Sequence, residues 1–253
     1  MARTEDKRPK AQRIANIIRA QIMSGELEPG DQIPKTDDLI KAHKASNVTI
    51  QRALDILKAE QLLEGRSGTG VFVRDRATQT ITPVSYMNPS DSGEPYRWTT
   101  EAATRGQRGS NEILRVGEVP TPKRVARGLG IEAGAPAVLR TRLGLLNDEP
   151  AELTHSYYPI ELARGTRLTD RRKIRGGSPT LLAELGYPPR EQVDEVAARS
   201  ATTEEYELLE IPGDAPVLEI FRIVYSDDRR PIEVTVLVKS SHLYKMGYHL
   251  PVS

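Results

Sequence analysis

Between residues 12 and 23, apolar side chains recur at Ile14, Ile17, Ile18 and Ile22, the spacing of one helix face. Gly25 follows as a stop signal, because glycine takes the left-handed conformation that ends helices at no steric cost. Glu28-Pro29-Gly30-Asp31 reads as a turn, with proline presetting φ and glycine supplying a positive one. Ile33-Pro34 leads into a short helix over 36–43, with Thr36 as its expected cap and Asp37 and Asp38 at its positive end. Ser46 is the expected N-cap of a third helix whose apolar stripe is Ile50, Ala53, Leu54 and Leu57. Asn47, Thr49, Gln51 and Arg52 are left on its other faces. Leu62-Leu63 and Val71-Phe72-Val73 read as short strands around Glu64-Gly65-Arg66-Ser67-Gly68-Thr69-Gly70, a glycine-rich hairpin tip carrying a cation.

Residues 74–100 lose this periodicity and are rich in polar and turn residues, the composition of a linker. Strands dominate from residue 110. Ile113–Val119 is one, and Thr121-Pro122 starts a short helix that ends at Gly130. Ala137–Leu146 and Ala151–Tyr158 flank Asn147-Asp148-Glu149-Pro150 as a hairpin, and Ser178-Pro179 caps a helix running to Gly186. Val217–Ser226 and Ile232–Ser240 flank a second hairpin turn, Asp227-Asp228-Arg229-Arg230. The two hairpins look like copies: APAVLRTRLGLLNDEPAE starts at Ala135 and APVLEIFRIVYSDDRRPIE at Ala215, and each carries a Pro followed two residues later by Glu. An internal duplication in an antiparallel sheet accounts for this, as does chance likeness between two hairpins.

Three helices and a two-stranded wing form a winged helix-turn-helix, whose third helix enters the major groove with its first residues at base edges. The expected fold is therefore α+β. Residues 8–75 form the DNA-binding domain, 76–100 the linker, and 101–253 an antiparallel sheet domain with flanking helices. A length of 253 residues suits two such domains. Net charge is +1, but residues 1–76 hold 14 Lys+Arg against 11 Asp+Glu, and the remainder 22 against 24. A mildly basic front end permits nucleic-acid binding without demanding it. With no cysteine, disulfides, thiolate metal sites and a Cys nucleophile are excluded, which fits a reducing cytoplasm. No apolar run approaches the ~20 residues of a membrane span, and the opening MARTEDKRPK lacks the apolar core of a signal peptide. The expected location is cytoplasmic.

Residues 33–54, IPKTDDLIKAHKASNVTIQRAL, resemble the second and third helices of GntR-type regulators, and RSGTGVFV at 66–73 resembles their wing. GAPAVLRTRLGLLNDEPAELTHSYYP, Leu182-Ala183-Glu184-Leu185-Gly186-Tyr187 and GDAPVLEIFRIVYSDDRRPIE resemble the UTRA effector domain of the HutC subfamily, which has a chorismate-lyase-like fold. The resemblance implies a ligand-responsive transcription regulator, a repressor, acting as a homodimer on a double-stranded, pseudo-palindromic operator. Lys35 and Thr36 at the second helix, Ser46, Asn47, Thr49, Gln51 and Arg52 at the third, and Arg66, Ser67, Gly68 and Thr69 in the wing are the expected DNA contacts. Relatives often carry Arg where this chain has Asp37, Asn47 and Gln51, so its base contacts differ from theirs. Asn and Gln pair best with adenine, and Arg with guanine; Asn47 and Gln51 also fit plain solvated helix positions.

Arg140 and Arg142, two apart on a strand, project to one face, either a solvated face or an anion site. Glu152, Thr154 and Ser156 share that face if the hairpin loop has three residues and not if it has two. The UTRA resemblance implies that the Arg140, Arg142, Glu152 and Glu233 positions surround a small-molecule pocket. Arg175-Gly176-Gly177-Ser178 reads as an oxyanion site at a helix start or as an ordinary cap. Together these suit a small anionic, hydroxyl-bearing metabolite such as a phosphosugar. The histidines (His43, His155, His242, His249) show no metal-ligand spacing, and no nucleophile motif or phosphate-cradling loop is present, so no catalytic residue, metal or cofactor is expected. An effector-independent repressor of plasmid transfer or maintenance, and an enzyme of chorismate-lyase-like fold, are the alternatives.

Overall fold

The structure is a computed structural model that describes residues 6–74, 79–81, 97–104, 106–213, 215–241 and 243–247. The chain divides into two compact units, residues 1–78 with 212–215, and residues 79–211 with 216–253.

The first unit contains α1 (Lys10–Ser24), α2 (Thr36–His43), α3 (Asn47–Ala59), β1 (Leu63–Arg66) and β2 (Gly70–Val73). Ile14 and Ile18 of α1 meet Leu39, Ile50, Leu54 and Leu57 in one core, closed by Ile33, Leu63 and Val73. Ile22 packs at its edge, whereas Ile17, on the flank of the stripe, is 49% exposed. Gly25 ends α1 in the left-handed region, φ 77°. Ser46 caps α3 by accepting from the Thr49 amide at 3.3 Å. Thr36, expected as the α2 cap, is instead its first residue. The Lys35 carbonyl already accepts from the Asp38 and Leu39 amides, so the helix begins one residue earlier. In the wing, Gly70 has φ 129°, and a Cβ there would lie 2.4 Å from Gln32 Nε2, which donates to the Thr69 carbonyl at 2.7 Å. Glycine takes that φ without strain, and any Cβ would displace the Gln32 amide from its bond to Thr69.

The second unit begins with β3 (Gln79–Ile81), α4 (Arg97–Thr104), β4 (Gly109–Pro120), α5 (Lys123–Leu129), β5 (Pro136–Leu146) and β6 (Glu149–Pro159). Next come α6 (Ile160–Ala163), a single 3-10 turn at Arg167–Thr169, α7 (Gly177–Glu184), β7 (Glu191–Arg199), α8 (Thr203–Leu208), β8 (Val217–Tyr225), β9 (Pro231–Ser240) and β10 (Tyr244–Met246). Six strands form an antiparallel sheet in the order β4-β5-β6-β9-β8-β7, and β10 pairs with β3 in parallel. α5 packs on one face through Val125 and Leu129 against Ala137, Phe221 and Val234. α6 and α7 pack on the other, through Leu162, Leu181 and Leu182 against Val138, Tyr158 and Val224.

Much of the linker expected over 76–100 lies outside the described residues. Its described parts are β3 and the first turn of α4, so regular structure enters where a loop was expected. Two other caps also move. Thr121 donates its hydroxyl to the Ala135 carbonyl and Pro122 precedes α5. Gly176, at φ 73°, precedes α7, which places Ser178 inside the helix with no capping bond.

The likeness of the two hairpins extends to a full β-α-β-β repeat, β4-α5-β5-β6 and β7-α8-β8-β9. α5 ends on Leu129 and a left-handed Gly130, φ 68°, and α8 is followed by Leu209 and a left-handed Glu210, φ 48°. Each hairpin carries a one-residue bulge just after its proline, at Ala151 and at Ile232. β6 and β9 pair at the centre of the sheet, which relates the halves by a pseudo-twofold axis.

Arg199 at the end of β7 holds Glu205 of α8 by two hydrogen bonds, 2.6 and 2.7 Å, and Glu219 of β8 at 2.7 Å. Burial opposes the charge on both carboxylates. The Arg199 guanidinium outweighs it, with the Thr202 amide at Glu205 and Arg124 at Glu219, and holds both below the usual carboxylate range. Their contribution to stability is thus present above the ordinary value of 4.5 and is lost as pH falls through the lower folded values. Thermal unfolding followed from about pH 6 to about pH 3 should show this acid loss, and Arg199→Gln should flatten it.

Candidate nucleic-acid interface and ligand cleft

On α3, the residues facing away from the core are exposed: Asn47, Val48, Gln51 and Arg52. Gln51 Nε2 reaches Thr36 Oγ1 on α2 at 3.5 Å. Ser46 Oγ and Thr49 Oγ1 lie 2.9 Å apart, so both hydroxyls belong to the cap, while Asn47 projects outward. Lys35 is exposed beside half-buried Thr36. A groove of about 290 Å³ runs between Pro34, Lys35 and Thr36 on one side and Gly68, Thr69 and Gly70 of the wing on the other. Ser67, Gly68 and Thr69 are exposed at the tip. Arg66 folds back on the wing, with Nε 3.0 Å from Glu64 Oε1 and its guanidinium 4.4 Å from the Phe72 ring centre. The structure thus gathers the α2 start, the outer face of α3 and the wing tip on one surface. Val48 was not foreseen, although an apolar residue off the core stripe in a polar run is a signal visible in sequence.

In the second unit, the hairpin loop has two residues, Asn147 and Asp148, both at positive φ (50° and 68°). The extra residue at Ala151 then restores the parity that a two-residue turn alone would have reversed, so Arg140 lies opposite Ser156 and Arg142 opposite Thr154. A polar row crosses this face of the sheet: Arg140, Ser156, Thr235, Arg222 and Asp194 are successive cross-strand neighbours. Arg142 donates to Ser156 Oγ at 3.1 Å, Ser156 and Thr235 hydroxyls lie 3.0 Å apart, and Thr235 donates to Glu233 Oε1 at 2.5 Å. Glu233 Oε2 is buried without a hydrogen-bond partner among the described residues. Burial and the neighbouring Glu233 carboxylate push the Tyr158 phenol upward, so it stays neutral at physiological pH.

Arg140 is 1% exposed. Its terminal nitrogens donate to the carbonyls of Leu168 (2.7 Å), Asp170 (2.6 Å) and Arg172 (3.0 Å), so it clamps the segment before α7. Arg140, half-buried Arg142 and Lys173 line a cleft with Asn111, Ile113, Ile174, Gly177 and Ser178. Among the described residues, three cations and no carboxylate border it. Glu152 and Glu233 are not among its lining. Glu152 accepts from buried Lys239 and, at 2.6 Å, from Thr154 Oγ1. Lys239 escaped the sequence reading because nothing in a strand pattern distinguishes a buried lysine from a solvated one.

A helix presented beside a hairpin wing, and a separate sheet domain with a cationic cleft, define a winged helix-turn-helix protein with a ligand-sensing type of second domain. The chain belongs to the gntR family of bacterial regulatory proteins, whose signature matches residues 10–73, and carries a UTRA domain over residues 104–245. It is thus a GntR-type transcriptional regulator with a UTRA effector domain, the HutC-type architecture. It is 28% identical to an uncharacterized HTH-type transcriptional regulator of Streptomyces coelicolor, over 97% of this chain and 94% of that protein. It is 27% identical to the HTH-type transcriptional repressor NagR of Bacillus subtilis, over 94% and 93%. A crystal structure described as a GntR-family transcriptional regulator superposes with a TM-score of 0.63 at 25% identity, covering 98% of this chain and 99% of that one. Among the described residues no helix is long and apolar enough to cross a membrane.

Hydrogen bonds to a charged donor are worth about 1.5–3 kcal/mol each. Arg140→Met should therefore speed amide exchange in the 167–177 segment by at least about tenfold while leaving the first unit's exchange unchanged, as read by hydrogen–deuterium exchange.

Proposed function

We propose that this regulator represses transcription as a homodimer on a pseudo-palindromic operator, with α3 in the major groove and the wing on the flanking backbone. The observation that carries the DNA half is the shared surface of the α2 start, the outer face of α3 and the wing tip. The groove between Lys35-Thr36 and Gly68-Thr69 suits a phosphate, with Lys35 as a point charge and backbone amides beside it. Arg66 leaves Glu64 and Phe72 to reach a phosphate or the minor groove. Asn47, Gln51 and Arg52 face base edges, while Ser46 and Thr49 hold the first turn of α3 and approach the backbone. A single short helix and wing bury little DNA surface, and a second half-site one helical turn away supplies the rest. NagR, a repressor by name, supports negative control.

We further propose that a small anionic metabolite, a sugar phosphate or another acid, occupies the cleft bounded by Arg142, Lys173 and the first turn of α7. The convergence of Arg140, Arg142 and Lys173 on one cleft beside the first turn of α7 carries this reading. Arg142 and the amides around Ser178 would take the anion. Arg140 holds the covering segment, and Glu233, with its open Oε2, would accept a hydroxyl or amine. Glu152 acts through Lys239. The volume of about 30 Å³ admits one water-sized group, so the 172–178 segment moves outward to receive the ligand. A ligand that favours the open arrangement then shifts DNA affinity only as far as it discriminates between the two states.

Two measurements test these readings. Operator affinity measured against salt should fall with a slope of about −0.9 per phosphate neutralised, and Lys35→Ala or Arg66→Ala should each reduce that slope by about one per half-site. A protein that stays monomeric and shows no sequence preference contradicts the reading. Separately, one of a panel of sugar phosphates and carboxylates should raise the melting temperature by binding the native state, and Arg142→Ala should remove the rise while leaving ligand-free operator binding unchanged. No rise with any anion would favour an effector-independent repressor.

A further inference from the structure

Val48 is 62% exposed, and every other aliphatic or alanine residue of α3 except Ala59 at its last position is buried or half-buried. A single exposed valine on a protein surface is ordinary; the place of this one is not. At about 3.6 residues per turn, Val48 and Arg52 lie opposite the stripe of Ile50, Ala53, Leu54 and Leu57, at the centre of the face that looks away from the core. Gln51 is its neighbour one turn on, and Asn47 stands beside it. The Ser46 cap, bonded to both the amide and the hydroxyl of Thr49, brackets Val48, so its β-branched side chain is presented from a fixed turn with little rotamer freedom.

The major groove offers one apolar group, the 5-methyl of thymine. The amide side chains Asn and Gln match adenine N6 and N7, whereas guanine is matched by Arg or Lys. On this face two amides and a valine stand against a single guanidinium, Arg52, and Asp55 pairs with its own Lys58 at 3.5 Å. We propose that Val48 reads a thymine methyl group and, with Asn47 and Gln51, selects a half-site with A·T pairs at its centre. This rests on the assignment of α3 as the recognition helix and goes beyond it by naming the base class and the residue that reads it. Adenine and thymine occupy the same base pair, so amides and methyl contact can address one pair or two adjacent ones without altering the helix pose.

The test is selection of sites from random duplex DNA by the full-length protein, followed by replacement of each thymine in the selected site by deoxyuridine, which removes only the methyl. The expected result is a half-site with A·T at its centre and one thymine whose replacement weakens native binding about fourfold, the worth of one buried methyl group. Val48→Ala should be weaker than the native protein on the thymine site and insensitive to the same replacement. Selection of G·C at the centre, or silence of every uridine replacement in the native protein, overturns the proposal while leaving α3 as the reader. A selected motif unchanged by both Asn47→Ala and Gln51→Ala overturns the recognition-helix assignment, and the proposal with it.

Discussion

The extra residue at Ala151 governs which side chains of the second unit meet. A two-residue turn at Asn147-Asp148 alone would set Arg140 opposite His155 and turn Glu152, Thr154 and Ser156 to the other face. The bulge shifts the pairing by one, so both arginines, two hydroxyls and a carboxylate share one side of the sheet. Arg140 can be buried there because carbonyls of the 168–172 segment take its donors; on an apolar face the same guanidinium would be left uncompensated at a cost of several kcal/mol. The hydroxyl and carboxylate neighbours that both arginines find on β6 follow from one inserted residue.

The same device recurs at Ile232, and the divergence of the two repeats is informative because their backbones agree. Arg142 and Arg222 occupy matching positions. Across the strand from Arg222 stands Asp194, which accepts two bonds of 2.7 Å. Across from Arg142 stands Ile113. Likewise Glu152 meets Lys239, while at its mate, Glu233, the neighbouring group is the Tyr158 phenol. The Arg222–Asp194 pair lies within the second repeat, the Glu152–Lys239 pair joins the two repeats across the centre of the sheet, and the cleft-lining Arg140 and Arg142 belong to the first.

Elements with strong local signals were legible in sequence: the three helices, the wing, both hairpins and the Ser46 cap each follow from periodicity or turn chemistry. β7 was missed because an edge strand reading Glu-Gln-Val-Asp-Glu-Val carries charge on both faces and shows no apolar alternation. α8 was missed despite a capping box, Thr202 with Glu205, both halves of which form. Thr-x-x-Glu before a short helix was the available signal. The expected caps at Thr36, Thr121 and Ser178 shifted by one or two residues, to Lys35, Pro122 and Gly176, because propensity marks the neighbourhood of a helix start rather than its terminal residue. Which residues of β6 join Arg140 and Arg142 on their face depended on a bulge, which no residue pattern announces.

What remains is the size of the cleft. Sites for small molecules are usually about 300–1,000 Å³, an order of magnitude more than the space between Arg142 and α7. On the proposed reading, the ligand-competent state is therefore an opened one, and apparent affinity is reduced by the fraction of molecules that occupy it. The place for such opening would be the covering segment itself, where Gly176 and Gly177 both have positive φ, 73° and 81°, a region open to glycine without steric cost. Arg140 would oppose such opening through its bonds to the carbonyls, and on the proposed reading an anion would favour it by drawing Arg142 and the freed amides around itself. On the proposed reading, a clamp on one side of the segment and a glycine pair on the other would allow it two arrangements, which is what a ligand needs if its binding is to change anything beyond its own site.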